Sequence, residues 1–191
     1  MGHSQARKQQ TREQIVKTAA KRFRESGVEG VSIANLMKEA GLTHGGFYKH
    51  FESRDDLVTE ALACALAASG QRKQSAQEQS FERFVHSYLS TKHRDAVGDG
   101  CAMAALVNDV ARSRDDARTL YTEHLSQTLD KVGGLVGGED AQARAKAIVI
   151  FSALSGALGI ARALNDEALS AQVLAQVSDY LIEQVGASAQ S

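Results

Sequence analysis

Proline is absent from the 191 residues, and so is tryptophan. Average usage of roughly 5% would supply about nine or ten prolines, and proline is the residue that interrupts a helix most sharply. Without it, Gln, Ala, Leu, Glu, Lys and Arg crowd long unbroken stretches, which predicts an all-α chain. Cysteine is almost missing as well. Cys64 and Cys101 stand alone, so neither a disulfide framework nor a four-ligand zinc site is available, and a reducing, cytoplasmic setting is expected. Long apolar runs are scarce. The greasiest uncharged stretch, Ala147 to Ala161, is too short to span a bilayer and contains Ser152 and Ser155, so no membrane segment is expected. Met1 to Arg12 is polar, which predicts no secretory leader. Catalytic signatures are missing too: there is no Gly-x-Ser-x-Gly elbow, phosphate-cradling loop, dinucleotide turn or His-Glu-x-x-His helix. His86, His93 and His124 make no metal-ligating pair on one helix face. The expectation is a protein that is not an enzyme, with no metal and no cofactor.

Charge is nearly balanced overall, at −1, but unevenly placed. Residues 1–54 hold ten Lys/Arg against five Asp/Glu, whereas residues 55–191 hold twelve against eighteen. A basic head on an acidic body is an electrostatic footprint of polyanion binding, because phosphate neutralisation needs cations gathered on one face. Two domains are expected, 1–54 and 55–191.

Hydrophobic spacing divides the head into short helices. A first pattern covers about Lys8 to Ser26, with Ile15, Ala19 and Phe23 four apart and Gly27 as its stop. Ile33, Leu36, Met37 and Ala40 make a two-turn helix with Ser32 as N-cap and Gly41 as terminator. Thr43 is expected to cap a third short helix carrying Phe47 and Phe51, and Ser53 with Asp56 to start a fourth running to about Gly70. Three short helices with a glycine-containing turn between the second and third form a helix-turn-helix. Beyond the glutamine-rich segment Gln71 to Gln79, patterns cover 80–93, 101–113, 115–136, 140–164 and 166–185, about nine helices in all. Gly133-Gly134 and Gly137-Gly138 are expected to end the 115–136 pattern.

The run Val31-Ser32-Ile33-Ala34, continued by Ala40-Gly41-Leu42-Thr43-His44-Gly45-Gly46-Phe47-Tyr48-Lys49-His50-Phe51 and Glu52 to Leu57, resembles the DNA-binding signature of TetR-family transcriptional regulators. The likeness spans about residues 10–60. It implies that Thr43 and Tyr48 contact phosphates, that His44 and Lys49 read base edges with Gly45 and Gly46 between them, and that Arg12, Ser32 and Arg54 clamp the backbone on either side of the groove. Gly46 departs from the pattern: many members carry a base-touching side chain there. By the same resemblance the body is an effector-binding and dimerisation domain.

The residues add their own support for a homodimer. The last two patterns, with Ile148, Phe151, Leu154 and Leu158, then Leu169, Val173, Leu174, Val177, Tyr180 and Leu181, each have more than one apolar face. A twofold copy would complete a four-helix bundle and set two recognition helices on a palindromic operator of double-stranded DNA. Phe84, Tyr88, Cys101, Met103, Val107, Tyr121, Leu125, Phe151 and Leu154 are candidates to line a pocket for a small hydrophobic effector. The expected function is a ligand-responsive regulator, a repressor released by that effector. The alternative is a redox- or electrophile-sensing regulator, or a thiol enzyme, acting through Cys101 at a helix N-terminus, where the macrodipole favours thiolate. Cys64, on the mid-face of the fourth helix, is read as inert.

Overall fold

The computed structural model describes residues 2–70, 80–138 and 140–188, and among them every regular element is helical. Nine α-helices follow in order: α1 (Gly2–Ser26), α2 (Ile33–Glu39), α3 (Arg54–Gly70), α4 (Phe81–Tyr88), α5 (Thr91–Asp95), α6 (Ala102–Ala111), α7 (Asp115–Leu135), α8 (Ala141–Ala163) and α9 (Glu167–Ser188). Two 3₁₀ segments, His44–Lys49 and Val97–Asp99, complete the set. The segment 71–79, which the sequence assigns to the end of the fourth helix and a loop, lies outside the described residues.

The chain forms two compact units. The first comprises the described residues of Met1–Gln71 and Gly98–Tyr121. Its core gathers Ile15, Ala19 and Phe23 from α1, Leu36 and Met37 from α2, Phe47 and Phe51, Leu57, Ala61 and Leu62 from α3, and Met103, Leu106 and Val110 from α6. The second comprises those of Arg72–Val97 and Thr122–Ser191. There α8 lies along α9, α4 packs on α9 and α5 on α8, burying Val85, Leu89, Ile150, Phe151, Leu154, Leu158, Leu174 and Leu181.

Local chemistry explains most helix ends. Ser32 Oγ accepts from Asn35 N at 3.2 Å and Ser53 Oγ from Asp56 N at 3.1 Å, so two helices of the first unit start as expected. Asp140 Oδ1 accepts from Ala143 N at 2.7 Å to start α8. The α2 stop is a paired motif: Gly41, at φ +74°, donates to Lys38 O at 3.0 Å while Leu42 N reaches back to Met37 O at 2.8 Å.

Three expectations need correction. The third helix is a 3₁₀ segment, and Thr43 makes no side-chain cap for it. Two successive glycines, each roughly 1 kcal/mol worse than alanine in an α-helix, leave the tighter 3₁₀ pattern, with Gly46 N on Thr43 O at 3.0 Å and His50 N on Phe47 O at 2.9 Å. The 80–93 pattern is broken in two, because Ser90 Oγ accepts from His93 N at 3.2 Å and so opens a new helix. Helix α7 runs through Gly133-Gly134 to Leu135, and the chain turns afterwards, at Gly137. Helix α8 is also longer than its uncharged stretch: 23 residues, long and apolar enough by length and composition to cross a membrane. Its buried side, from Ala143 to Ala161, faces protein within its unit.

Candidate nucleic-acid interface

The segment His44–Lys49 is held from beneath and bare above. Phe47 is fully buried and stacks on Phe51 at 5.3 Å between ring centroids, which fixes the segment to the core with one large side chain. Beneath Gly46, a Cβ would stand 3.5 Å from Met37 Cε, so the backbone lies close on α2. Thr43, His44, Gly45 and Lys49 are exposed, and Tyr48 is 70% exposed although large and aromatic. The Tyr48 ring meets the Phe47 ring edge-on at 5.2 Å. Ser32, also exposed, caps α2 with its hydroxyl. Hydroxyls, an imidazole and an ammonium on a rigid base are groups suited to phosphate oxygens and base edges.

The two arginines of the predicted site are already engaged within the protein. Arg12 Nε donates to His50 O at 3.2 Å, its Nη2 pairs with Glu60, and its guanidinium carbon lies 5.0 Å from the Phe51 ring centroid. Arg54 Nη2 donates to Val28 O at 2.6 Å and to Val31 O at 3.0 Å. Each guanidinium carries five N–H donors, so both retain some beyond these bonds.

Sequence reasoning missed two groups here. Burial, then the positive charges of Lys8, Arg12 and Lys49, hold the His50 imidazole below its ordinary value of 6.5. The ring Nδ1 is buried without a protein partner. Lys8 thus extends the cationic surface around Lys49, whereas His50, whose charged form is disfavoured, adds an imidazole but no charge. The one available signal was Lys8 standing a turn ahead of Arg12 on α1.

The effector candidates fall in different units. Cys101, Met103, Val107 and Tyr121 belong to the first, and Phe84, Tyr88, Leu125, Phe151 and Leu154 to the second. In the second, Tyr88 is the hub: its ring lies 6.0 Å from Phe84 and 6.3 Å from Phe151, and its hydroxyl is 3.4 Å from Ser155 Oγ. Leu154 is fully buried and Leu125 half-buried. In the first, Met103 is buried and Tyr121 donates its hydroxyl to Met103 O at 3.2 Å, while burial pushes the phenol up to about 12. Cys101 is half-buried at the N-cap of α6 and Val107 is exposed. A cleft of about 170 Å³ in the first unit is lined by other residues, Val28, Arg54, Val58, Asp109 and Arg114 among them.

Comparison with known proteins bears on both parts. Residues 15–61 match the family described as bacterial regulatory proteins, tetR family. The chain is 38% identical over 52 residues to the HTH-type transcriptional regulator AcrR of Shigella flexneri, covering 27% of this chain and 24% of that protein. It is 37% identical over 54 residues to the HTH-type transcriptional regulator TtgR of Pseudomonas putida, covering 28% and 26%. The match thus spans about a quarter of these relatives' length. Whole-fold likeness is broader: a TetR-family regulator of Agrobacterium tumefaciens superposes with a TM-score of 0.74 at 19% identity, covering 93% of this chain and 98% of that one. A TetR regulator of Chloroflexus aurantiacus gives 0.75 at 22%, over 93% and 96%. The reduced form of Escherichia coli NemR gives 0.72 at 20%, over 90% and 95%. Residues 15–61 thus carry the signature of the TetR family of bacterial regulatory proteins, on a fold shared with solved TetR-family regulators.

Proposed function

We propose that the protein is a DNA-binding transcriptional regulator, a repressor that leaves a palindromic operator when a small hydrophobic molecule occupies its body. The observation that carries this reading is the bare His44–Lys49 segment standing on the buried Phe47. His44 and Lys49 read base edges, Thr43 and Tyr48 fix register on phosphates, and Ser32, Arg12 and Arg54 complete the backbone grip, with Gly45 allowing close approach. Residues 1–54 serve as the DNA-binding domain and 55–191 as the effector-binding and dimerisation domain. Access to chromosomal DNA fits a cytoplasmic location.

The dimer is supported by the outward sides of α8 and α9. Ile148, Val149 and Ile160 on α8, with Leu169 and Tyr180 on α9, are all exposed large apolar side chains. At Gly156 and Gly159 a Cβ would meet nothing within 4 Å, so another helix has room to approach closely. A second copy covering this stripe would give the assembly two reading segments, as a palindromic operator with half-sites about 34 Å apart requires. An effector that binds better to a differently spaced dimer weakens DNA affinity by that difference, typically about 1–3 kcal/mol. The pocket candidates in the second unit centre on Tyr88, Phe84 and Phe151.

Cys101 supports a second reading. It is half-buried at the start of α6, and a thiolate there would be open to oxidation by a peroxide or alkylation by an electrophile. A resemblance to a protein solved in a reduced form is in keeping with such a sensor. The two readings separate by whether oxidant releases DNA and reductant restores it.

The test is fluorescence anisotropy with the duplex upstream of the protein's own gene. Binding should weaken steeply with salt. Lys49→Ala should lower affinity about tenfold and reduce the salt slope by about one, and Tyr48→Phe should lower affinity severalfold with sequence preference unchanged. Indifference to double-stranded DNA at low ionic strength would overturn the proposal.

A further inference from the structure

The turn between α1 and α2 is held by side chains from two distant helices, and the reason lies in how α1 ends. Gly27, at φ +72°, donates its N–H to Phe23 O at 2.8 Å. In the paired motif closing α2 the corresponding carbonyl, Met37 O, is left to receive the second N–H, that of Leu42. The amide of Val28 is therefore left with no acceptor in its own helix. Asp109, on α6 and 81 residues away, supplies one: its Oδ1 accepts from Val28 N at 3.1 Å. The carboxylate is only 15% exposed, and a Cβ at Gly27 would stand 3.6 Å from Oδ1, so it sits tight against the turn. The carbonyl of the same residue is taken by Arg54 on α3, which donates to Val28 O and also to the carbonyl of Val31, the residue before the α2 cap. Asp109 is itself fixed in α6, where its carbonyl accepts from Ser113 Oγ at 2.8 Å.

An αL-type helix end with a free C-terminal amide is ordinarily closed by water. Here the N–H donates to a largely buried carboxylate, a charge-assisted bond that is strong because solvent is largely excluded. Resting on the proposed DNA-binding role, we infer that Asp109 is a positioning residue for DNA recognition. By fixing Val28 it sets the angle at which α2 and the His44–Lys49 segment leave α1. Asp109 itself touches no DNA in this account; it acts on the turn.

The experiment compares Asp109→Ala with Asp109→Asn, which keeps an acceptor oxygen at the same distance. Operator-duplex affinity is read by anisotropy together with the active fraction from stoichiometric titration, and the Val28 amide by hydrogen exchange. Asp109→Ala should bind at least tenfold more weakly at an unchanged active fraction, with faster exchange at Val28, and Asp109→Asn should stay within threefold of wild type. Wild-type affinity in Asp109→Ala, or equal weakening in both variants, overturns the inference. Should the wild-type protein ignore DNA, the proposed function falls, and unchanged Val28 exchange in Asp109→Ala would separately sink the Asp109 assignment.

Discussion

Two exposed surfaces of this protein have opposite chemistry. The His44–Lys49 segment shows solvent an imidazole, an ammonium and a phenol hydroxyl, whereas α8 and α9 show it Ile148, Val149, Ile160, Leu169 and Tyr180. Both are bare, yet water tolerates them differently. Polar donors lose little by remaining hydrated, while an apolar stripe gains about 25 cal/mol for each Å² it buries. The first suits a partner rich in acceptors and negative charge, and the second an apolar helix pair. The supports differ in kind as well. The polar segment is a short 3₁₀ turn anchored by Phe47, while α8 and α9 are long and hold each other.

Breaking the anchor should have the largest effect. Phe47→Ala removes a fully buried aromatic and should cost about 3–5 kcal/mol, read as a lowered urea midpoint for the first unit and loss of DNA binding. Self-association should persist, since α8 and α9 are untouched. The reciprocal change is Ile160→Glu, on the apolar stripe. It should leave the subunit folded, as a surface substitution does, yet weaken self-association by roughly 100-fold or more in sedimentation, because an unpaired carboxylate is costly to bury.

Acid titration sharpens the comparison further, because each unit holds a histidine whose charged form is disfavoured. Burial and the charges of Lys8, Arg12 and Lys49 lower His50; burial and then Lys131 lower His124. Between the folded and the ordinary value the unfolded chain binds more protons, so stability is full above pH 6.5 and declines as pH falls through and below it. His50→Gln should flatten that decline in the first unit and His124→Gln in the second, followed by thermal melts across the range. The smallest effect belongs to Gly45→Ala. A Cβ there meets nothing within 4 Å and φ is not positive, so the variant should gain about 0.5–1 kcal/mol of stability by restricting the unfolded chain. A loss of DNA affinity in that variant would point to close approach of the backbone.

Legibility in the sequence followed locality. Ser32, Ser53 with Asp56, Gly27 and Gly41 marked helix ends because caps act over three or four residues. The spacing of Ile15, Ala19 and Phe23, or of Ile33, Leu36 and Met37, marked one apolar face for the same reason. Ser90 was missed because the pattern around Tyr88 and Leu89 suits one helix as well as two, and only the bond from His93 N decides it. The 3₁₀ segment was missed because a six-residue stretch with two glycines has no period to read.

The sequence by itself determined that the chain is helical, where most helices begin and end, and that its N-terminal quarter carries a helix-turn-helix signature, since these follow from backbone preference and short-range periodicity. Tertiary structure alone decided that Arg12 and Arg54 hold backbone carbonyls, that His50 lies among Lys8, Arg12 and Lys49, and that Asp109 closes the end of α1. Apart from Lys49 beside His50, those pairings join residues tens of positions apart, and their geometry exists only once the helices have packed and water has been excluded between them.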